Sequence, residues 1–197
     1  MTNLDPETLQ LALQGDDTAY SRLVETYQTP VYNLCYRMLD DGIEAEDAAQ
    51  ETFWRAYQNL RRYDPQRSFI TWLLSIAAHY CIDQQRKRKH QAYPIDEHTE
   101  ETASDPAPNP ERVVSQLDEN QLLHRLISQM PPQDRAVLIL RYWHEMPEEE
   151  IAHSLDLTVS AVKSRLHRAR LQLAQRWQTT QPQTLYPERN CHESPAL

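Results

Sequence analysis

Two stretches of this sequence carry side chains suited to chemistry, and both are suited to binding rather than to bond making. In the run KSRLHRAR, Lys163, Ser164, Arg165, His167, Arg168 and Arg170 are interleaved with Val162, Leu166, Ala169 and Leu173. The apolar members recur at the spacing of a buried helical seam, so the cations and short polar groups must project elsewhere. In LRRYDPQRSF, from Leu60 to Phe69, Tyr63 lies among Arg61, Arg62 and Arg67 beside Pro65. A ring among guanidinium groups can stack an unpaired base while the cations hold phosphate; the plainer alternative is a basic loop whose tyrosine is tucked into a core. No phosphate-cradling GxxxxGK[ST] run occurs, and no nucleophile lies in an evident constellation with a base. Cys191 and His192 are adjacent, but two ligands do not make a metal site. The chain is therefore expected to use no metal or cofactor and not to be an enzyme.

The elements that position these residues follow from periodicity. Upstream of the KSRLHRAR run, Ile151, Ala152 and Leu155 share one face of a short helix whose other face carries Glu148, Glu149, Glu150 and His153. Asp156 falls where the chain must turn, and Asp tolerates a left-handed backbone there. Thr158 can cap the helix that follows. A basic outer helix braced across a tight turn fits a DNA major groove; a solvated amphipathic hairpin is the bland alternative.

Only two glycines occur in 197 residues, and no alternating β-branched run stands out, which predicts an all-α protein. Helices are expected on both sides of Gly15, through Leu39, from Glu44 to Asn59 after a turn at Asp40, Asp41 and Gly42, and across ITWLLSIAAHYCIDQQRKRKH, whose end carries the basic Arg86, Lys87, Arg88 and Lys89. Cys35 reads as a small core residue. A second set is expected from about Glu111 to Met130, after Pro131 and Pro132, and through the helix pair above. The two helical domains, 1–93 and 113–178, are joined by a flexible acidic, proline-rich linker at 94–112, with a flexible tail at 179–197. At ~3.3 Å per residue the linker can extend to about 60 Å.

The net charge of -9 looks wrong for a nucleic-acid partner until it is placed along the chain. Eight acidic residues against one basic lie between 94 and 120, whereas 121–178 carries eight basic against six acidic. DNA responds to charge within a Debye length of ~8 to 10 Å, so the local patch decides. Three distant cysteines without CxxC spacing suit a reducing, cytoplasmic setting. No apolar run approaches the ~18 residues that span a bilayer, and the acidic start MTNLDPETLQ is unlike a secretory leader.

Three motifs then resemble one family: DAAQETFWRAY from Asp47 to Tyr57, FITWLLSIAAHYCID from Phe69 to Asp83, and EEEIAHSLDLTVSAVKSRLHRAR from Glu148 to Arg170. In this order and spacing they resemble a bacterial sigma factor of the extracytoplasmic-function type, a minimal member of the sigma-70 family, over roughly residues 10 to 178. The resemblance implies two helical domains, regions 2 and 4. It implies that Asp47, Gln50 and Glu51 dock on the clamp of RNA polymerase core. It assigns Arg61, Arg62, Tyr63, Arg67, Trp72, His79 and Arg86 to opening of the -10 element and capture of an unstacked base. His79 stands where many relatives have Asn, which leaves base preference there open, because imidazole's donor and acceptor pattern depends on tautomer and charge. It assigns Lys163, Ser164, His167 and Arg168 to the -35 element in the major groove, with Arg165 on phosphate.

The acidic linker resembles the segment that threads through polymerase near its active-site channel. The function so implied is promoter-directed initiation with core polymerase, melting driven by binding energy, and restraint by an anti-sigma factor. The alternative is a conventional helix-turn-helix repressor or activator, which leaves the Tyr63 loop and the Asp47 helix without a purpose.

Overall fold

The computed structural model describes residues 5–91 and 116–180, and among these every regular element is helical. The expected linker, the tail from 181 onward and Val113 and Val114 lie outside the described residues. The first half comprises α1 (Pro6–Leu13), α2 (Asp17–Leu39), α3 (Gly42–Asn59), a short 3-10 turn (Leu60–Arg62) and α4 (Phe69–Gln91). The second comprises α5 (Gln116–Ser128), α6 (Pro132–Tyr142), α7 (Glu148–Ser154) and α8 (Val159–Thr180).

Side-chain caps set the first three helix starts. Asp5, Asp16 and Asp41 accept from the backbone N–H groups of Glu7, Ala19 and Glu44 at 3.2, 2.8 and 2.9 Å, each satisfying a donor that the helix cannot satisfy itself. Asp40 ends α2 in the left-handed region at φ 63°, so Asp40 and Asp41 turn the chain tightly between α2 and α3. The core of the first half joins Leu23, Val31, Leu34, Cys35 and Met38 of α2 to Leu73, Ala77 and Cys81 of α4. The residues of α3 buried in it are all small, Ala45, Ala48, Ala49, Thr52 and Ala56, which let that helix lie close while its other side faces outward. Leu11 of α1 and Tyr57 of α3 are exposed.

The halves are not separate beads. Every residue of α6 from Asp134 to Leu140 is buried, the mark of a helix covered on all sides, because α6 lies between α8 of its own half and α2 and α4 of the other. The buried guanidinium of Arg135 donates to the carbonyl of Met38 near the end of α2, an acceptor that Gln85 of α4 also uses. Burial pushes the Arg135 pKa down to about 10, opposed by the charge of Asp40. Around this point His124 Nδ1 lies 2.6 Å from Asp40, the His124 ring stacks on Tyr36 at 4.9 Å, and Arg37 sits 5.2 Å over the ring of Trp143.

Beside that contact a cavity of about 520 Å³ separates Tyr27, Ile70 and Leu74 from Trp143, His144 and Met146. His144 Nε2 is buried there without a hydrogen-bond partner. Burial, with the nearby Arg37 charge adding to it, lowers the His144 pKa from 6.5 to about 4. The folded protein thus refuses a proton that the unfolded chain accepts, so stability is fully present above about pH 6.5 and is lost as pH falls toward 4. The loss expected from His144 is about 2–3 kcal/mol. Urea unfolding at a series of pH values should show that slope, and His144→Leu should flatten it.

Candidate functional site

The helix pair α7 and α8 forms as its periodicity requires. Ile151, Ala152 and Leu155 are buried, as are Val162, Leu166 and Ala169. Asp156 adopts a left-handed φ of 53°, and Thr158 Oγ1 accepts from the N–H of Ala161 at 3.1 Å. The outward face of α8 presents Lys163, Ser164 and His167. Lys163 reaches back to Glu148 at 3.7 Å while remaining largely exposed.

The two arginines of that face are differently placed. Asp134 of α6, with a side chain only 3% exposed, receives Arg165 Nη1 at 2.7 Å and Arg168 Nε at 3.1 Å. A carboxylate this deeply buried needs such partners. Arg165 therefore braces α8 against α6 instead of standing free for phosphate, and Arg168 shares that duty although half its side chain reaches solvent. The helix expected after Pro131 and Pro132 contains Asp134, but sequence alone does not show this role, because its partners lie more than thirty residues downstream.

In the first half, the loop before α4 corrects the expectation for Tyr63. Its ring is 6% exposed, packed against Phe69 and Trp72 at 5.3 Å each, and its hydroxyl donates to the carbonyl of Arg67. Burial raises its pKa. Leu60 and Phe69, both buried at the ends of the short loop, draw the tyrosine inward; it braces the loop and is not an open stacking platform. Arg61, Arg62 and Arg67 remain exposed, Arg67 lying 3.6 Å from Asp64.

An open cavity of about 350 Å³ lies beside them, lined by Arg55, Asn59, Arg62, Trp72, Ser75 and His79. The structure thus brings three of the expected residues, Arg62, Trp72 and His79, to one place. Arg86 stands apart, farther along α4 and near Asp83 at 3.9 Å.

On α3, Asp47 and Gln50 face solvent, and Glu51 is bound to Arg55 at 2.7 Å. Next to them is a feature the sequence reading did not single out. A groove of about 750 Å³ between α2 and α3 is lined by Tyr20, Tyr32, Glu46, Gln50, Trp54 and Tyr57, among others. Trp54 is 56% exposed, stacked on Tyr57 at 6.2 Å, with Tyr20 edge-on to Tyr57 at 5.0 Å. Tyr57 donates its hydroxyl to Asp17 at 2.8 Å and Tyr20 to the carbonyl of Phe53 at 2.6 Å. Desolvation pushes the Tyr20 hydroxyl up to about 12. The rings are held in place before any partner arrives, the condition under which aromatic contacts contribute most to binding. The available signal was Trp54 itself, a large ring three and four residues from Glu51 and Gln50 and so on the polar face of α3.

Among the described residues no group of three or more His, Cys, Asp or Glu stands together as a metal site, and no helix is long and apolar enough to cross a membrane.

Residues 23–91 match the family described as Sigma-70 region 2, and residues 120–173 that described as Sigma-70, region 4. The chain is 37% identical over 165 residues to the ECF RNA polymerase sigma factor SigW of Bacillus subtilis, covering 80% of this chain and 88% of that protein. It is 30% identical over 173 residues to the RNA polymerase sigma-H factor of Pseudomonas aeruginosa, covering 84% and 90%. In fold it resembles CnrH, solved with the cytosolic domain of CnrY, at a TM-score of 0.66 and 22% identity over 88% of this chain and 97% of that one. It also resembles RpoE of Bartonella quintana, solved with the anti-sigma factor NepR, at 0.63 and 18% over 82% and 98%.

The Asp134 clamp has a direct consequence for stability. Asp134→Ala leaves two arginines without their shared acceptor and is expected to destabilise the fold by about 1–3 kcal/mol in urea unfolding, with Asp134→Asn intermediate.

Proposed function

The chain belongs to the sigma-70 family, among relatives of the extracytoplasmic-function type, and from that premise we propose that it binds RNA polymerase core and directs it to promoters through two DNA elements. The observation that carries the reading is the division of exposed surface: a capped basic face on α8, and an acidic face with an aromatic groove on α3, lie in different halves of one chain. A repressor needs the first and has no use for the second.

In this reading α8 enters the major groove of the -35 element with Lys163, Ser164 and His167 toward the bases. Arg165 and Arg168 orient the helix through Asp134, and the exposed part of Arg168 is left for phosphate. The cavity beside α4 takes an unstacked base of the -10 element, with Trp72, Arg62 and His79 around it and Arg61, Arg67 and Arg86 along the strand. Tyr63 holds the loop that forms one wall. Binding energy for the separated strand drives melting, and the chain supplies no bond-making step.

Asp47 and Gln50, with Glu51 turned toward Arg55, meet a basic surface of the polymerase, and Trp54, Tyr57 and Tyr20 give that contact its apolar centre. An anti-sigma factor is proposed as a further partner, since solved structures of similar fold include one with such a factor.

Runoff transcription with purified core polymerase, with and without the chain, tests the function. Initiation from specific promoters of a genomic library is expected only when the chain is present; no initiation from any of them, or sequence-specific repression without core, overturns the reading. Trp54→Ala is expected to weaken core binding by about tenfold while leaving thermal stability close to wild type, because the ring is mostly in solvent. Fluorescence anisotropy of the labelled chain against core checks the first and a melting curve the second.

A further inference from the structure

The cavity between the two halves is built like a small-molecule site and takes no part in the surfaces assigned above. Its volume of about 520 Å³ lies within the roughly 300–1,000 Å³ that such sites occupy. The walls are apolar and come from both halves: Tyr27 of α2 and Ile70 and Leu74 of α4 on one side, Trp143 and Met146 from the segment between α6 and α7 on the other. The polar groups converge on one chemistry. Glu145 and Glu150 line the cavity, and among the described residues no lysine or arginine does. Glu150 accepts a hydrogen bond from the Thr71 hydroxyl at 3.0 Å, but among the described residues the acidic start of α7 forms a single salt bridge, that of Glu148 with Lys163. The His144 ring is kept neutral by burial and so has one accepting nitrogen, and its Nε2 is buried without a partner. Glu145, next to it, holds a left-handed φ of 53°, which a residue with a side chain keeps only where its surroundings fix it.

Two carboxylates without a cation repel an anion, and a purely apolar guest leaves them and His144 unsatisfied. We propose that this cavity binds an organic ammonium, a primary amine on a compact aromatic or aliphatic body. An ammonium has three N–H donors and no acceptor, and three acceptors are available to it: the carboxylates of Glu145 and Glu150 and the accepting nitrogen of His144. Hydrogen bonds between ionised partners are the stronger kind. Arg37 lies 5.2 Å over the Trp143 ring, so a second cation is repelled from that wall, and the apolar body takes the place against Trp143 and Leu74. A guest seated in this way touches both halves and stabilises their junction by mass action. The site is distinct from the aromatic groove beside α3, where Tyr57 and Tyr20 already donate their hydroxyls within the protein.

The test titrates 2-phenylethylamine into the full chain by calorimetry near neutral pH, with 3-phenylpropionate as an acid of similar size. The amine is expected to bind at one site with a Kd of about 0.1–1 mM and to raise the unfolding temperature, and the acid to bind at least about tenfold more weakly. Thr26 lines the α2 wall and is only partly buried, so Thr26→Trp fills the space and should abolish binding. Glu150→Gln removes one charge from an exposed side chain and should weaken binding about three- to fivefold, whereas Trp54→Ala, in the groove beside α3, should leave it unchanged. Equal affinity for amine and acid, no binding of the amine at ten times the expected Kd, or binding that survives Thr26→Trp in a folded chain overturns the proposal. If Thr26→Trp does not fold, Glu150→Gln decides: weaker binding supports the site, and unchanged affinity overturns it.

Discussion

Two adjacent side chains of opposite charge, Asp134 and Arg135, are both buried at the start of α6, and much of the architecture follows from where each one points. A buried charge must find a partner or the site is destabilised by several kcal/mol. These two are bound to different elements. Asp134 turns toward α8 and holds Arg165 and Arg168; Arg135 turns toward α2 and meets the carbonyl of Met38, at the helix end where the macrodipole is negative. One short helix therefore fixes α8 on one side and joins the two halves on the other. Such buried ionic contacts add little net stability compared with apolar packing, but they admit few alternative arrangements.

The same economy of position separates the two faces proposed for function. Alanines on the inner side of α3 bring it close to α2, and the aromatic side chains that would otherwise fill the gap are turned outward into the groove, where hydrogen bonds to Asp17 and the Phe53 carbonyl hold them. On α8 the order is inverted. Its apolar seam is narrow, and three polar residues, Lys163, Ser164 and His167, are left facing solvent by the bracing of the arginines between them. The two proposed faces are thus built from opposite chemistry, apolar and rigid on one half, polar and hydrogen-bonding on the other.

Much of this was legible in the residues themselves, and the limit of legibility is physical. Helical seams at Val162, Leu166 and Ala169, the left-handed Asp156, the cap at Thr158 and the core position of Cys35 all depend on neighbours within a turn or two, and sequence periodicity records them. The clamp on Asp134 does not, since a carboxylate in a first helical turn reads as ordinary dipole compensation until its distant partners are in place. Tyr63 was ambiguous for the same reason: a loop tyrosine among arginines is exposed or buried according to how Leu60 and Phe69 close the loop around it. The packing of α6 against α2 left no periodic trace, and the groove beside Trp54 depends on α2 residues more than twenty positions away.

In the proposed function one chain anchors on duplex DNA through α8 and on a separated strand through the cavity beside α4, and core polymerase is needed to do both together. Site-specific photocrosslinking addresses it most directly, with a thiol-linked probe on Ser164→Cys or on His79→Cys in a Cys191→Ser background, where Cys35 and Cys81 are buried. With core polymerase and one promoter, the probe at 164 should crosslink upstream duplex and the probe at 79 the melted non-template strand. Equal crosslinking from 164 without core, together with none from 79 in its presence, would contradict the account.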